Sequence, residues 1–178
     1  MADLISLVQI RMATRKDLPA MEWNGEYTHF RRLYQEIYEG VERGEALLWV
    51  ADLNGTGVVG QLFVQLNSAR KELADGDQRA YIYGFRIQPY YRGQGLGSYM
   101  LSVVEDDLVQ RGFRIAVLNV SRDNLEARQL YQREGYQVVA PEPGQWSYLD
   151  EKGIRRWVDE PAWRMEKFLK PLRRIKDR

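Results

Sequence analysis

The chain contains no cysteine, one histidine (His29) and no apolar run of membrane-spanning length. Without cysteine there can be no disulfide, thiolate metal site or cysteine nucleophile. A single histidine removes histidine-rich metal sites and argues against a Ser-His-Asp triad, so no metal is expected. Charge of one sign is also missing: 26 Lys+Arg against 25 Asp+Glu leave +1, so nucleic acid is not an expected partner. The start, Met1-Ala2-Asp3, lacks the basic and apolar regions of a signal peptide. No internal repeat, low-complexity tract or linker interrupts the chain. These absences point to a cytoplasmic protein without a membrane partner, folded as a single domain over residues 1–178. Its 44% hydrophobic and 29% charged residues are ordinary for a globular chain of this length.

The information is concentrated between Tyr81 and Tyr136. Tyr81-Ile82-Tyr83-Gly84-Phe85-Arg86-Ile87 reads as a strand, and Pro89 cannot continue a ladder. The turn Arg92-Gly93-Gln94-Gly95-Leu96-Gly97-Ser98 follows, then a helix with Leu96, Met100, Val103, Val104 and Leu108 on one face. A glycine turn feeding a helix N-terminus is an anion site: free N–H groups point outward, and the helix dipole adds roughly half a positive charge. Glycine there leaves the backbone accessible to a phosphate. The plainer reading is a tight strand-to-helix connection. Three glycines at alternate positions beside Arg92 favour the phosphate.

A P-loop would need Lys-Ser/Thr after its last glycine, and none is present. In a dinucleotide fold a third glycine would stand at Ser98, and the next strand, Arg114 to Val120, would end in an acidic residue; it ends in Asn119-Val120. The turn instead resembles the Arg/Gln-x-x-Gly-x-Gly/Ala signature of the GNAT superfamily of acetyl-CoA-dependent N-acetyltransferases. Downstream, Asn124 to Tyr136, with Ala127, Leu130, Tyr131 and Gly135, is similar to the family's Asn-x-x-Ala-x-x-Leu-Tyr-x-x-x-Gly-Phe/Tyr segment. The two blocks stand in family order and cover about a third of the chain.

The remaining pattern is compatible with that fold. Leu7 to Met12 reads as a strand, and Thr14 opens a helix with Asp17 as its capping partner. A second helix is expected from Tyr27 to Arg43. Glu45–Leu53 and Gly57–Leu66 read as a hairpin about Asn54-Gly55-Thr56. Asn67 to Gln78 reads as a solvated loop. A helix is expected to run from the glycine turn to Gly112, and another from Asp123 to Gly135. Tyr136 to Val139 starts a strand expected to break at Pro141 and Pro143, before a hairpin on either side of Asp150–Gly153 and a last strand-like segment, Ala162–Leu169. The resemblance implies an α/β (α+β) fold: a mixed, mostly antiparallel central sheet of about seven strands flanked by helices. The basic tail (Lys170, Arg173, Arg174, Lys176, Arg178) reads as solvated.

The resemblance also assigns roles. Acetyl-CoA is the acyl-donor substrate, its pyrophosphate on the turn Arg92, Gly93, Gln94, Gly95, Leu96, Gly97 and Ser98. Its pantetheine arm pairs like an added strand with Phe85, Arg86 and Ile87. An N–H of that strand can also stabilise the tetrahedral intermediate. Asn124 contacts the arm, or is a helix cap; Asp123 is an equally good cap and would free Asn124 for the ligand. Tyr131 is the catalytic residue, a general acid toward the departing thiolate, or simply a packed helix tyrosine. Glu22, Trp23 and Glu26, with His29 nearby, are the acceptor-side candidates; Trp23 as core and the others as solvated is the competing account. Asn119 stands where some relatives carry a glutamate base, and Asn cannot take a proton at pH 7. That suits an amine of low pKa: near ~7.8 about one molecule in seven is neutral at pH 7, near ~10.4 about one in 2,500.

Trp146, Tyr148 and Trp157 either border the acceptor pocket or form cross-strand aromatic pairs. Asp150, Glu151, Asp159 and Glu160 could favour a cation there. The expected function is acetyl transfer from acetyl-CoA to a primary amine, of a small molecule or a protein N-terminus, by direct attack. A non-catalytic acyl-CoA-binding module and another nucleotide-binding α/β protein are the alternatives. Oligomeric state is not legible; a homodimer is one option.

Overall fold

The computed structural model describes residues 3–171. A short turn, α1 (Leu4–Leu7), leads into β1 (Val8–Met12). Tight 3-10 turns follow over Arg15–Gly25, opened by the Thr14 N–H donating to the Asp17 carboxylate at 2.7 Å. They break at Trp23 and Asn24, both left-handed (φ 46° and 56°). The expected second helix is shorter than its hydrophobic spacing suggested. Thr28–Phe30 is a further 3-10 turn, and α2 proper is Arg31–Glu42.

The strand β2 (Ala46–Leu53) turns at Asn54-Gly55 into β3 (Gly57–Gln65), as the Asn-Gly signal requires. Both strands are buried almost throughout because helical elements cover both faces of the sheet. The segment 67–78 is not a free loop. An Asn67–Asp75 bridge folds it back and buries Leu73 and Ala74. Then come β4 (Arg79–Ile87), α3 (Leu96–Gln110), β5 (Ile115–Ser121) and α4 (Leu125–Arg133). Gly112 and Gly135, with φ 97° and 96°, supply the left-handed residues that end α3 and α4.

The C-terminal region holds β6 (Gln137–Glu142), β7 (Gln145–Leu149), β8 (Arg155–Asp159) and β9 (Ala162–Phe168). Pro141 does not stop β6. That strand pairs only with β9, at the sheet edge, where a residue without N–H forfeits no ladder bond. The order β1-β2-β3-β4-β5-β9-β6 makes a seven-stranded sheet whose one parallel pair is β4–β5, and β7–β8 forms a separate ribbon. One core packs α3 and α4 against the sheet through Met100, Val104, Leu108 and Tyr136. The other packs α2 and the 3-10 region through Met21, Phe30, Tyr34 and Phe63. Residues 172–178, which hold most of the basic tail, lie outside the described residues, as do Met1 and Ala2.

Candidate active site

Pairing between β4 and β5 stops at Ile82 opposite Leu118. Beyond it β5 keeps only β9 as partner, so the β4 main chain from Tyr83 to Ile87 has no strand on that side. On its other side β4 carries an extra residue against β3, between Tyr83 opposite Phe63 and Arg86 opposite Gln61. Gly84 makes this bulge feasible: its φ is +58°, and a Cβ would run into the Phe63 ring. The open, bulged segment is where two cavities meet, and Arg86 lines both.

The first cavity, about 540 Å³, lies toward α3 and α4. Phe85, Arg86 and Ile87 of β4 line it, with Arg92, Gly93, Gly95, Gly97 and Ser98 of the glycine turn, and Asn124 and Tyr131. The two β4 neighbours of Arg86, Phe85 and Ile87, join the core on the α3 side. The first main-chain hydrogen bond of α3 runs from Tyr99 to the Gly95 carbonyl at 3.1 Å. Among the described residues no acceptor takes the N–H groups of Gly93 to Ser98, which makes this turn an anion cradle. The three glycines serve different needs. Gly93 and Gly95 hold φ of 68° and 84°, whereas a Cβ on Gly97 would meet Leu130 of α4 at 3.1 Å. Gly97 therefore lets α3 and α4 approach.

Side chains fix the surrounding geometry. Arg92 Nε donates to the Ile87 carbonyl at 2.7 Å, which pins the turn to the end of β4. The Ser98 hydroxyl donates to Glu134 at 2.6 Å and ties α3 to the end of α4. Gln94 and Leu96 do not line the cavity. Gln94 donates to the Tyr90 carbonyl, and Leu96 is a core residue. Asn124 is the cap of α4, accepting the Ala127 N–H at 3.1 Å, so the cap does not fall to Asp123. Its amide NH2 remains free to donate into the cavity it lines. The Tyr131 ring is buried, edge-on to Tyr136 at 6.0 Å. Burial, with a smaller contribution from Tyr81, pushes its phenol up to about 12.

The second cavity, about 560 Å³, lies toward α2 and is walled by Phe30, Tyr34, Phe63, Tyr81, Tyr83 and Trp146, with Asn119, Glu142 and Glu160 among its polar groups. Asn119 Nδ2 donates to the Tyr81 hydroxyl at 3.2 Å, and its Oδ1 is buried without a partner. Burial drives both Tyr81 (to about 12) and Tyr83 upward, so neither phenol can serve as a base near neutrality. Glu142 is buried and held by Arg70 at 2.7 Å and Arg164 at 3.1 Å.

The acceptor-side candidates of the N-terminal region lie outside both cavities. Glu22 is paired with Arg31 at 2.7 Å, which holds its carboxyl below the usual range and makes it a poor base. Trp23 is core, edge-on to Tyr27 at 5.1 Å, and Glu26 is exposed. His29 packs on Phe30 at 4.3 Å. Of the hairpin aromatics, Trp146 lines the second cavity, Tyr148 packs tilted against Phe30 at 4.9 Å, and Trp157 is 79% exposed. Sequence reasoning missed Ala127, Leu130 and Arg133 on the first cavity. Helical spacing from Asn124 puts Ala127 and Tyr131 on its face, a signal that was available.

Comparison with known proteins bears on this arrangement. The sequence profile described as the Acetyltransferase (GNAT) family matches residues 10–136. The uncharacterized N-acetyltransferase YycN of Bacillus subtilis is 31% identical over 98 residues, 55% of this chain and 60% of that protein. The chain therefore aligns with less than two thirds of that relative's length. Among solved structures, Ard1 from Thermoplasma volcanium superposes with a TM-score of 0.69 at 18% identity, over 92% of this chain and 98% of that one. Ribosomal-protein-alanine N-acetyltransferase from Brucella melitensis gives 0.67 at 18% identity, over 90% and 99%. These structures share the fold: a mixed sheet of seven mostly antiparallel strands flanked by helices. The profile match ends at Tyr136, while β9, from beyond it, fills the sheet between β5 and β6. With the profile spanning well over half of its length, the chain belongs to the Acetyltransferase (GNAT) family.

Proposed function

We propose that this protein transfers the acetyl group of acetyl-CoA to a primary amine, by direct attack while both substrates are bound. The observation that carries this reading is the unpartnered β4 main chain, lying between an anion cradle and a second, aromatic cavity. The pyrophosphate occupies the cradle, where the free N–H groups of the turn and the α3 dipole face it. The pantetheine amides pair with Phe85 to Ile87 as an extra strand, aided by the Asn124 amide NH2. The amine enters from the α2 side.

In the transfer itself the amine nitrogen attacks the thioester carbonyl, and a β4 N–H at the bulge stabilises the oxyanion. The C–N bond forms and the C–S bond breaks. The amine proton leaves to solvent, and the coenzyme departs as a thiolate that solvent then protonates. Tyr131 faces the leaving sulfur. With its phenol near 12 and a thiol near ~8.5, complete proton transfer is uphill by about 5 kcal/mol. Tyr131 therefore acts first as a hydrogen-bond donor that steadies the developing thiolate. No carboxylate base faces β4 from the neighbouring strand, where Asn119 stands, so the amine must lose its proton before it attacks.

That same lack of a base favours one second reading, a non-catalytic acyl-CoA-binding module on this fold. Incubation with acetyl-CoA and a panel of amines, following free thiol, separates the two. Transfer predicts thiol release that depends on the amine. Acetyl-CoA binding without release from any amine would leave the binding module.

A further inference from the structure

Arg86 is the one side chain that lines both cavities as a cation of β4, and its surroundings are unusual for a charge. Its guanidinium lies 4.4 Å from the Tyr27 ring centroid and 5.1 Å from that of Phe30, and Nη1 donates to the Tyr34 hydroxyl at 3.2 Å. All three partners are neutral. Nine other arginines among the described residues carry a carboxylate within ion-pair distance; of those that carry none, only Arg86 and Arg128 are half-buried rather than exposed, and only Arg86 of these two lines a cavity. A half-buried guanidinium with one of its five donors used, and no counter-charge, leaves a recognition group facing the cleft. The planar fork suits a carboxylate in particular.

The rest of the second cavity narrows what that carboxylate belongs to. Its buried acid, Glu142, is already neutralised by two guanidinium groups, which leaves the exposed Glu160 as the one unpaired carboxylate on its lining, too few for a polycationic acceptor. Six aromatic side chains line it, with Leu33, Ile37 and Leu73, and its volume of about 560 Å³ suits a small molecule with an apolar body. The orphaned Asn119 Oδ1 supplies an acceptor for an amine N–H. An anion-seeking cation, an apolar chamber and a lone amide acceptor fit the three parts of one kind of molecule.

We propose that the second cavity binds an amino-carboxylate acceptor, an α-amino acid or close analogue with an aromatic or large apolar side chain, and that Arg86 pairs with its carboxylate. This rests on the acetyl-transfer reading, in which that molecule's amine is the acceptor. Arg86 then has two duties on one strand: its main chain faces the coenzyme arm, and its guanidinium selects the acceptor.

The test compares phenylalanine with phenethylamine, which differ only in the carboxylate. Binding of each to the CoA-saturated protein is measured by calorimetry, and thiol release from acetyl-CoA is followed separately. Wild type should bind phenylalanine at least tenfold more tightly, and show a similar ratio in kcat/KM. Arg86→Gln should bring that ratio near one, while Arg86→Lys, which keeps the charge without the fork, should retain part of it. A thermal shift with acetyl-CoA confirms that each variant is folded. Equal or weaker binding of phenylalanine by wild type overturns the proposal, even if Arg86→Gln does not fold. An undiminished preference in folded Arg86→Gln overturns it as well. A carboxylate preference without thiol release from any amine would uphold the binding site and remove the acetyl-transfer reading instead.

Discussion

Asn124 Oδ1 accepts the Ala127 N–H at 3.1 Å, so one side chain both starts α4 and faces the first cavity. The two tasks use different atoms and can be separated. Asn124→Asp keeps the capping oxygen but loses the amide NH2. It should melt near wild type yet bind acetyl-CoA several-fold more weakly. Asn124→Ala should lose about 1 kcal/mol of stability in addition. Unchanged affinity in Asn124→Asp, measured by calorimetry, would reduce Asn124 to a cap.

The glycines of the turn should fail in different ways. At Gly95, with φ 84°, alanine places a side chain in left-handed backbone at a cost of about 1–2 kcal/mol. At Gly97 the backbone is ordinary, and the obstacle is Leu130 at 3.1 Å. Gly97→Val should therefore push α4 from α3 and weaken acetyl-CoA binding tenfold or more, about 1.4 kcal/mol. Melting curves and calorimetry on both variants check this. A folded Gly97→Val of wild-type affinity would show that the cradle does not need this close approach.

Tyr131→Phe should preserve coenzyme affinity and lower kcat, since the phenol is used mainly as sulfur departs. With the phenol held near 12, kcat should show no falling limb from this group below about pH 10. If chemistry limits turnover and the variant stays within threefold of wild type, Tyr131 is a packing residue.

Acid stability should depend on a pair far from the cleft. Hydrogen bonds from Arg11 are the main cause holding the Asp17 carboxyl at about 2, against an ordinary 3.8. Between those values the unfolded chain binds more protons than the folded one, so this contribution is complete above about pH 5 and fades as pH falls through 2. It amounts to about 2 kcal/mol. The stability difference between wild type and Asp17→Asn, followed by urea unfolding from pH 6 to pH 2, should shrink across that window. A difference independent of pH would show that the pair is not the source.

Local chemistry made the glycine-turn side of this cleft legible. The hairpin at Asn54-Gly55, the glycine turn and both helix ends followed from residues whose backbone preferences are strong. Where contacts distant in sequence decide, the pattern ran out. Pro141 sits within β6 because that strand lies at an edge, which only the arrival of β9 defines. The segment 67–78 reads as polar loop, yet Leu73 is held by tertiary contact and lines the second cavity. Glu22, which the resemblance suggested for the acceptor side, is paired with Arg31 and lines neither cavity. Arg86 is the sharpest case: its strand could be read from alternation, but the neutral rings around its guanidinium, Tyr27, Phe30 and Tyr34, come from far earlier in the chain.

Direct transfer of acetyl from acetyl-CoA to an amine, with both bound, leaves a kinetic signature. Initial rates of thiol release, taken over a grid of acetyl-CoA and amine concentrations, test it most directly. Reciprocal plots should intersect, the mark of a ternary complex. Parallel lines, which signify an acetylated enzyme, or an absence of amine-dependent thiol release would contradict it.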